Sequence, residues 1–168
     1  IAALKNPNPA VRFLGFQALQ KFGSAALPDV VNLSNHENPY VAARAVWLLP
    51  HLGEEGKNKA VEILGSTDRN LRLVAYRSLR RVGENMVPQA KKLARDTDTG
   101  IRRDVALSLR SASLDSTKDI FVELAKGYDG KDKNYLEAIG LGAAGKENQV
   151  WKHLKEAFGF SNPEKWTD

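Results

Sequence analysis

Three histidines are the first residues to weigh for chemistry, because neutral imidazole is the commonest metal ligand and a frequent proton shuttle. His36, His51 and His153 stand far apart in the chain. None has a second His or a carboxylate at metal-ligand spacing on its own helix face, so they read as surface or cap residues. Ser and Thr are plentiful, but no nucleophile-elbow or phosphate-loop spacing occurs. Gly140, Gly142 and Gly145 imitate a dinucleotide fingerprint, yet they sit inside a helical pattern with no preceding strand, and helix packing accounts for them. The stretches DTD at 96–98 and YDGKDKN at 128–134 hint at calcium loops. The second lacks a closing Glu at twelve-residue loop spacing, so capping turns are expected. The chain has no Cys, which excludes disulfides, Cys-ligated zinc, a Cys nucleophile and covalent haem attachment within this stretch. No catalytic, cofactor-binding or metal-binding residue is expected.

Positive charge is the stronger signal. From Asp68 to Arg110 the chain carries eleven Lys and Arg against five acids, a local +6 within a net charge of +5. Arg77, Arg80, Arg81 and Arg110 fall on the outward side of their helices. Trp47 occupies the same place as Arg77 one repeat earlier, and Gln17 the same place two repeats earlier. A basic surface with one aromatic could track a phosphate backbone. It could equally meet an acidic protein surface or a neighbouring domain.

The elements that hold these side chains repeat. Val11, Val41, Leu71 and Ile101 are 30 residues apart, as are Leu19, Leu49, Leu79 and Leu109, and Phe22, Leu52, Val82 and Ala112. Gly23, Gly53 and Gly83 keep the same step, with Ser113 in the fourth place. A fixed period of roughly 20–50 residues is the mark of stacked helix pairs, each too small to bury its apolar stripe alone. Within each period a turn carrying Asn or Asp caps a first helix, as at Asn8-Pro9, Asn38-Pro39, Asp68 and Asp98. Gly stops that helix. Pro28 and Pro88 mark the start of two of the second helices. Pro50 should shorten or kink the end of its helix.

In the first helices Val11, Gly15, Phe16, Leu19 and Phe22 should face inward, as should Val41, Ala45, Val46, Leu49 and Leu52. In the second helices the inward set is Val30, Val31 and Leu33, then Ala60, Val61, Ile63 and Leu64, then Ile120, Phe121 and Leu124. The register slips at GYDGKDKN, and a last pair follows, with Val150, Trp151, Leu154 and Phe158 on one side. The expectation is an all-α superhelix of about five pairs and ten helices. It forms a single domain over 1–160, with repeats near 1–33, 34–64, 65–94, 95–127 and 128–160, and 161–168 is a linker.

Hydrophobic residues make up 42% of the 168 and charged residues 27%, which suits a folded, water-exposed chain. No apolar run approaches the roughly 20 residues that span a bilayer, so no membrane insertion by this segment is expected. The opening IAALKNPNP already belongs to a repeat. The chain is therefore expected to be a piece of a longer protein.

The pattern resembles the HEAT family in its short bacterial form. The signature there is a turn acid, Val-Arg, a small residue, Leu and Gly. Here it reads Asn8, Val11, Arg12, Gly15, Leu19, Gly23; then Asn38, Val41, Ala42, Ala45, Leu49, Gly53; then Asp68, Leu71, Arg72, Ala75, Leu79, Gly83; then Asp98, Ile101, Arg102, Val105, Leu109. The resemblance implies that the turn acid and the Arg form a buried ladder between repeats, in which Arg12, Asp68, Arg72, Asp98 and Arg102 take part. Ala42 breaks it in the second repeat. It also implies a concave surface lined by the first helices, with Gln17, Trp47, Arg77, Arg80, Arg81 and Arg110 as the partner-binding residues.

A narrower resemblance covers DKNYLEAIGLGAAGKENQVWKHL. Asp132, Tyr135, Leu136, Glu137, Ala138, Gly140, Gly145, Lys146 and Glu147 are similar to the end of the HEAT segment in exported bacterial proteins of the PVC-type membrane-bound dehydrogenase or haem-binding kind. In those a β-propeller usually precedes and a cytochrome c domain follows. The haem attachment motif is not in this stretch, so no haem-binding residue is carried over. The implied role is a non-catalytic scaffold and protein-interaction module, periplasmic or exported, inside a larger dehydrogenase-like protein. The alternatives are a nucleic-acid-binding repeat protein, in that case cytoplasmic, and a bilin-lyase-type subunit.

Overall fold

The computed structural model describes residues 1–160, and the stretch expected to be a linker, 161–168, lies outside them. A one-turn helix, α1 (Ala2–Lys5), leads into first and second helices of the repeats, which alternate in chain order. They are α2 (Pro9–Phe22) with α3 (Leu27–Ser34), α4 (Pro39–Leu48) with α5 (Glu54–Ile63), α6 (Arg69–Arg81) with α7 (Val87–Leu93), α8 (Thr99–Ser108) with α9 (Leu114–Lys126), and α10 (Lys133–Gly142) with α11 (Glu147–Phe158). Among the described residues every regular element is helical, and the fold is an all-α helical repeat. The chain divides into two compact units, Ile1–Glu84 and Asn85–Asp168. In the first, α3 packs on α4, α5 on α6, and α4 on α6. In the second, α8 packs on α10 and α9 on α11.

The repeat is written into the turns by hydrogen bonds. Asn6, His36, Ser66 and Asp96 each accept the backbone N–H two residues on, at 2.9, 3.0, 3.1 and 2.8 Å. The residues so held, Asn8, Asn38, Asp68 and Asp98, are the helix caps. Their side chains accept from the N–H of Ala10, Tyr40, Asn70 and Ile101 at 2.9, 3.0, 2.7 and 3.1 Å. Each cap satisfies a donor that the helix geometry leaves orphaned, worth about 1 kcal/mol. Leu19, Leu49, Leu79 and Leu109 are buried in all four copies, each contributing about 1.5–3 kcal/mol by leaving water.

Departures from the expected inward faces have local causes. Val11 and Phe22 are exposed on α2. Val61 and Trp151 are exposed too. Each follows a buried residue, Ala60 or Val150, and the roughly 100° step per residue carries it to the edge of the stripe. Pro50 acts as expected: α4 stops at Leu48 and the chain tightens into a 3-10 turn over Leu49–Leu52.

The helix stops show how the fourth repeat manages without its Gly. Gly23, Gly53 and Gly83 take φ of 57°, 95° and 82°, a region that favours Gly. At the fourth place Ser113 stays extended, at φ −66° and ψ 147°. Two carbonyls there also accept from Lys146, whose ammonium donates to the oxygens of Leu109 at 2.7 Å and Ala112 at 2.5 Å. Desolvation lowers the pKa of that lysine. The motif residues around it also have structural partners. Asp132 caps α10, the Tyr135 hydroxyl donates to the Leu124 carbonyl at 2.7 Å, and Glu147 accepts the Gly145 N–H at 2.9 Å.

The three glycines of the last pair divide by role. Gly145 is a stop, at φ 83°. A Cβ on Gly142 would lie 2.2 Å from the Ala106 carbonyl oxygen, so this Gly sets the closest approach of α10 to α8. A Cβ on Gly140 would meet nothing. Gly142→Ala is therefore expected to lower stability by about 2 kcal/mol through overpacking. Gly140→Ala is expected to raise it by roughly 0.5–1 kcal/mol through helix propensity. Urea unfolding of the two variants beside the parent chain checks both signs.

Candidate functional site

The signature arginines grip their own turns. The Arg12 guanidinium donates from Nη1 to the carbonyls of Asn6 and Pro7, at 3.0 and 2.5 Å. Arg72 does the same to Ser66 and Thr67, at 2.9 and 3.2 Å. Arg102 does so to Asp96 and Thr97, at 2.6 and 3.3 Å. Arg102 also reaches the following pair. It donates from Nη2 to the Gly127 carbonyl at 3.1 Å and from Nε to the Tyr135 hydroxyl at 3.3 Å, and its guanidinium lies 5.2 Å from the centre of that ring. Arg12, Arg72 and Arg102, expected in a ladder between repeats, each donate to main-chain carbonyls of the turn before them. Asp68 is exposed and Asp98 half-buried, and the carboxylate of each caps its own helix.

Gln17, Trp47 and Arg77, which share one repeat position, are all exposed, on α2, α4 and α6. Arg80 and Arg81 are exposed on α6, and Arg110 is exposed in the second unit. The cations differ in what they meet. Lys57 bridges Glu54 at 2.6 Å and Glu84 at 2.7 Å, which pushes its pKa up to about 12. Glu123 takes Arg95 at 2.6 Å and Lys126 at 2.9 Å, and Arg95 first and Lys126 second hold its carboxyl down to about 2. Arg12, Arg44, Arg80, Arg81 and Arg110 have no acidic partner among the described residues.

Two of those arginines share a cleft with Trp47. A cleft of about 330 Å³ in the first unit is lined by Leu4, Arg12, Phe13, Phe16, Arg44 and Trp47. Phe13 is 61% exposed and Trp47 36%, while both arginines are half-buried. Arg44 is tied down by an Nη1 bond to the Leu4 carbonyl at 2.9 Å. The close approach of α1 to α2 depends on Gly15, where a Cβ would lie 2.4 Å from that of Ala3. The cleft therefore offers aromatic faces beside two fixed guanidinium groups, a setting for an anion with an apolar neighbour. No group of three or more His, Cys, Asp or Glu among the described residues is placed to hold a metal. Asp129 and Asp132 are engaged as turn and helix caps. No helix among the described residues is long and apolar enough to cross a membrane.

Residues 27–110, half of the chain, match the family of HEAT repeats. The chain belongs to the HEAT-repeat family. Its repeats are of a kind that generally serves protein interaction and scaffolding and is typically non-catalytic. No curated protein matches this HEAT-repeat chain in sequence.

Sequence reasoning put Trp47 on the partner face and Arg12 in the ladder, and the HEAT fold brings the two to one cleft. It passed over Arg44 and Phe13. A signal was present: Ala42 breaks the signature, and an arginine stands two residues further on.

Behind the cleft, the His51 ring meets Phe16 edge-on at 5.1 Å, and its buried Nε2 has no hydrogen-bond partner. Desolvation, then the charge of Arg81, lowers its pKa from 6.5. The unfolded chain therefore binds a proton below about pH 6.5 that the fold disfavours, so stability falls as pH drops through that value. The urea midpoint is expected to decrease between about pH 7.5 and about pH 5.5, and less so in His51→Gln. Equal decreases in both proteins would contradict this account of His51.

Proposed function

We propose that this chain is a non-catalytic scaffold and protein-interaction module within a larger exported bacterial protein of the dehydrogenase and cytochrome kind. The observation that carries the interaction reading is the exposed surface of the first helices in the first unit. There exposed Phe13 and Trp47 line one cleft with Arg12 and Arg44, which no acid neutralises among the described residues. Exposed large apolar side chains beside cations suit a protein surface carrying both apolar and acidic groups. The reading of the parent protein is supported by the resemblance of residues 132–154, and localisation outside the cytoplasm follows from it. It carries a direct check in the flanking gene sequence, where a propeller should be encoded upstream and a Cys-x-x-Cys-His motif downstream.

The nucleic-acid reading draws on the same arginines and makes a different demand. Phosphate contacts release counterions, so binding would fall steeply with salt. The purified chain is expected to bind labelled duplex and single-stranded DNA weakly at about 150 mM salt. It is also expected to change little when Arg80→Glu and Arg81→Glu are combined. Tight binding with a steep salt slope, lost in that double variant, would overturn the protein-interaction reading.

A further inference from the structure

The cleft between α2 and α4 has a polarity that selects among partners. Its three lining helices, α1, α2 and α4, carry Lys5, Arg12, Lys21 and Arg44 and no Asp or Glu. Arg12 and Arg44 are held through Nη1 by main-chain carbonyls. Nε and Nη2 of both find no partner among the described residues. A guanidinium fixed at one nitrogen, with donors to spare, is preorganised for a carboxylate, and little side-chain freedom remains to be lost on binding. The rest of the lining is Leu4, Phe13, Phe16 and Trp47. Apolar lining thus predominates over two cations, which suits a side chain packed beside a carboxylate better than a run of phosphates, whose affinity grows with the number of cations along the groove.

We propose that this cleft binds an acidic peptide segment of a protein partner, with an Asp or Glu carboxylate on Arg12 and Arg44 and a neighbouring aromatic or aliphatic side chain against Phe13, Phe16 and Trp47. The proposal rests on the protein-interaction reading and adds the site and the chemistry of the partner to it. The occupant is a peptide in extended form or in a loop, since the cleft admits one anchoring side chain and its neighbours. Phe13 forms the lip, and its exposure makes it the residue that a partner covers first.

The test uses an immobilised array of acetylated pentapeptides in which Asp or Glu alternates with Phe, Leu or Trp. The same array with Asn and Gln in place of the acids runs beside it. The strongest acidic peptide is then titrated in solution by fluorescence anisotropy against the parent chain, Arg44→Gln and Phe13→Glu. Phe13→Glu places a carboxylate at the lip without emptying the core, and so remains informative if Arg44→Gln loosens α1. The expected result is binding weakened by about tenfold or more in both variants and by a similar factor for the amide twin. Acidic and amide peptides that bind alike, or binding unchanged in Phe13→Glu, would overturn the cleft. If binding then fell with Arg80→Glu and Arg81→Glu, the protein-interaction reading would stand while the cleft would not. Preference for single-stranded oligo(dT) over every peptide would overturn both. Self-association abolished by Phe13→Glu would replace the peptide with a second copy of the chain.

Discussion

The grip of a guanidinium on two successive carbonyls is the interaction on which the repeat depends. In the first, third and fourth repeats the arginine four residues after the cap donates one nitrogen to both carbonyls of the turn behind it. The same turn is tied by a two-step relay, in which one side chain holds the cap and the cap holds the helix. A turn joining two helices would otherwise face carbonyls and amides away from partners, at a cost of about 1–3 kcal/mol for each buried group. The second repeat keeps the relay and lacks the arginine, because buried Ala42 stands there.

That local economy shapes the surface above it. Arg12 clamps the turn between α1 and α2 and at the same time lines the cleft beside Trp47. Arg44 ties α4 to the Leu4 carbonyl and faces the same cleft. Structural fixation uses one nitrogen of each planar group and leaves the others for the proposed recognition, which lysine with its single ammonium could not do. Phe13 and Phe22 of α2 are exposed.

Much of the fold was open to sequence reasoning, because Leu19, Leu49, Leu79 and Leu109 repeat in phase and so do the caps. What escaped it depends on contacts between residues far apart in the chain. Lys146 stands in for the missing Gly of the fourth repeat from 37 positions away, at the Leu109 carbonyl. No periodicity could announce that. Gly142 and Gly140 look alike in sequence, yet only Gly142 has the Ala106 carbonyl against it. The outward position of Trp47 was readable from the 30-residue step. Its arginine neighbours were not, because Arg44 lies off the signature and Arg12 looked purely structural. The proposed partner surface therefore divides into exposed arginines that the sequence pointed to and a cleft that packing reveals.

The most direct test of the clamp is the unfolding free energy of Arg102→Met, measured by urea titration beside Arg110→Met. Arg102 donates to the Asp96, Thr97 and Gly127 carbonyls and to the Tyr135 hydroxyl, while Arg110 is exposed and without an acidic partner among the described residues. A loss of about 3 kcal/mol in the first, with less than about 0.5 kcal/mol in the second, is what the clamp predicts. Equal, small losses in both would show that the turns hold without it and that the repeat rests on its apolar packing alone.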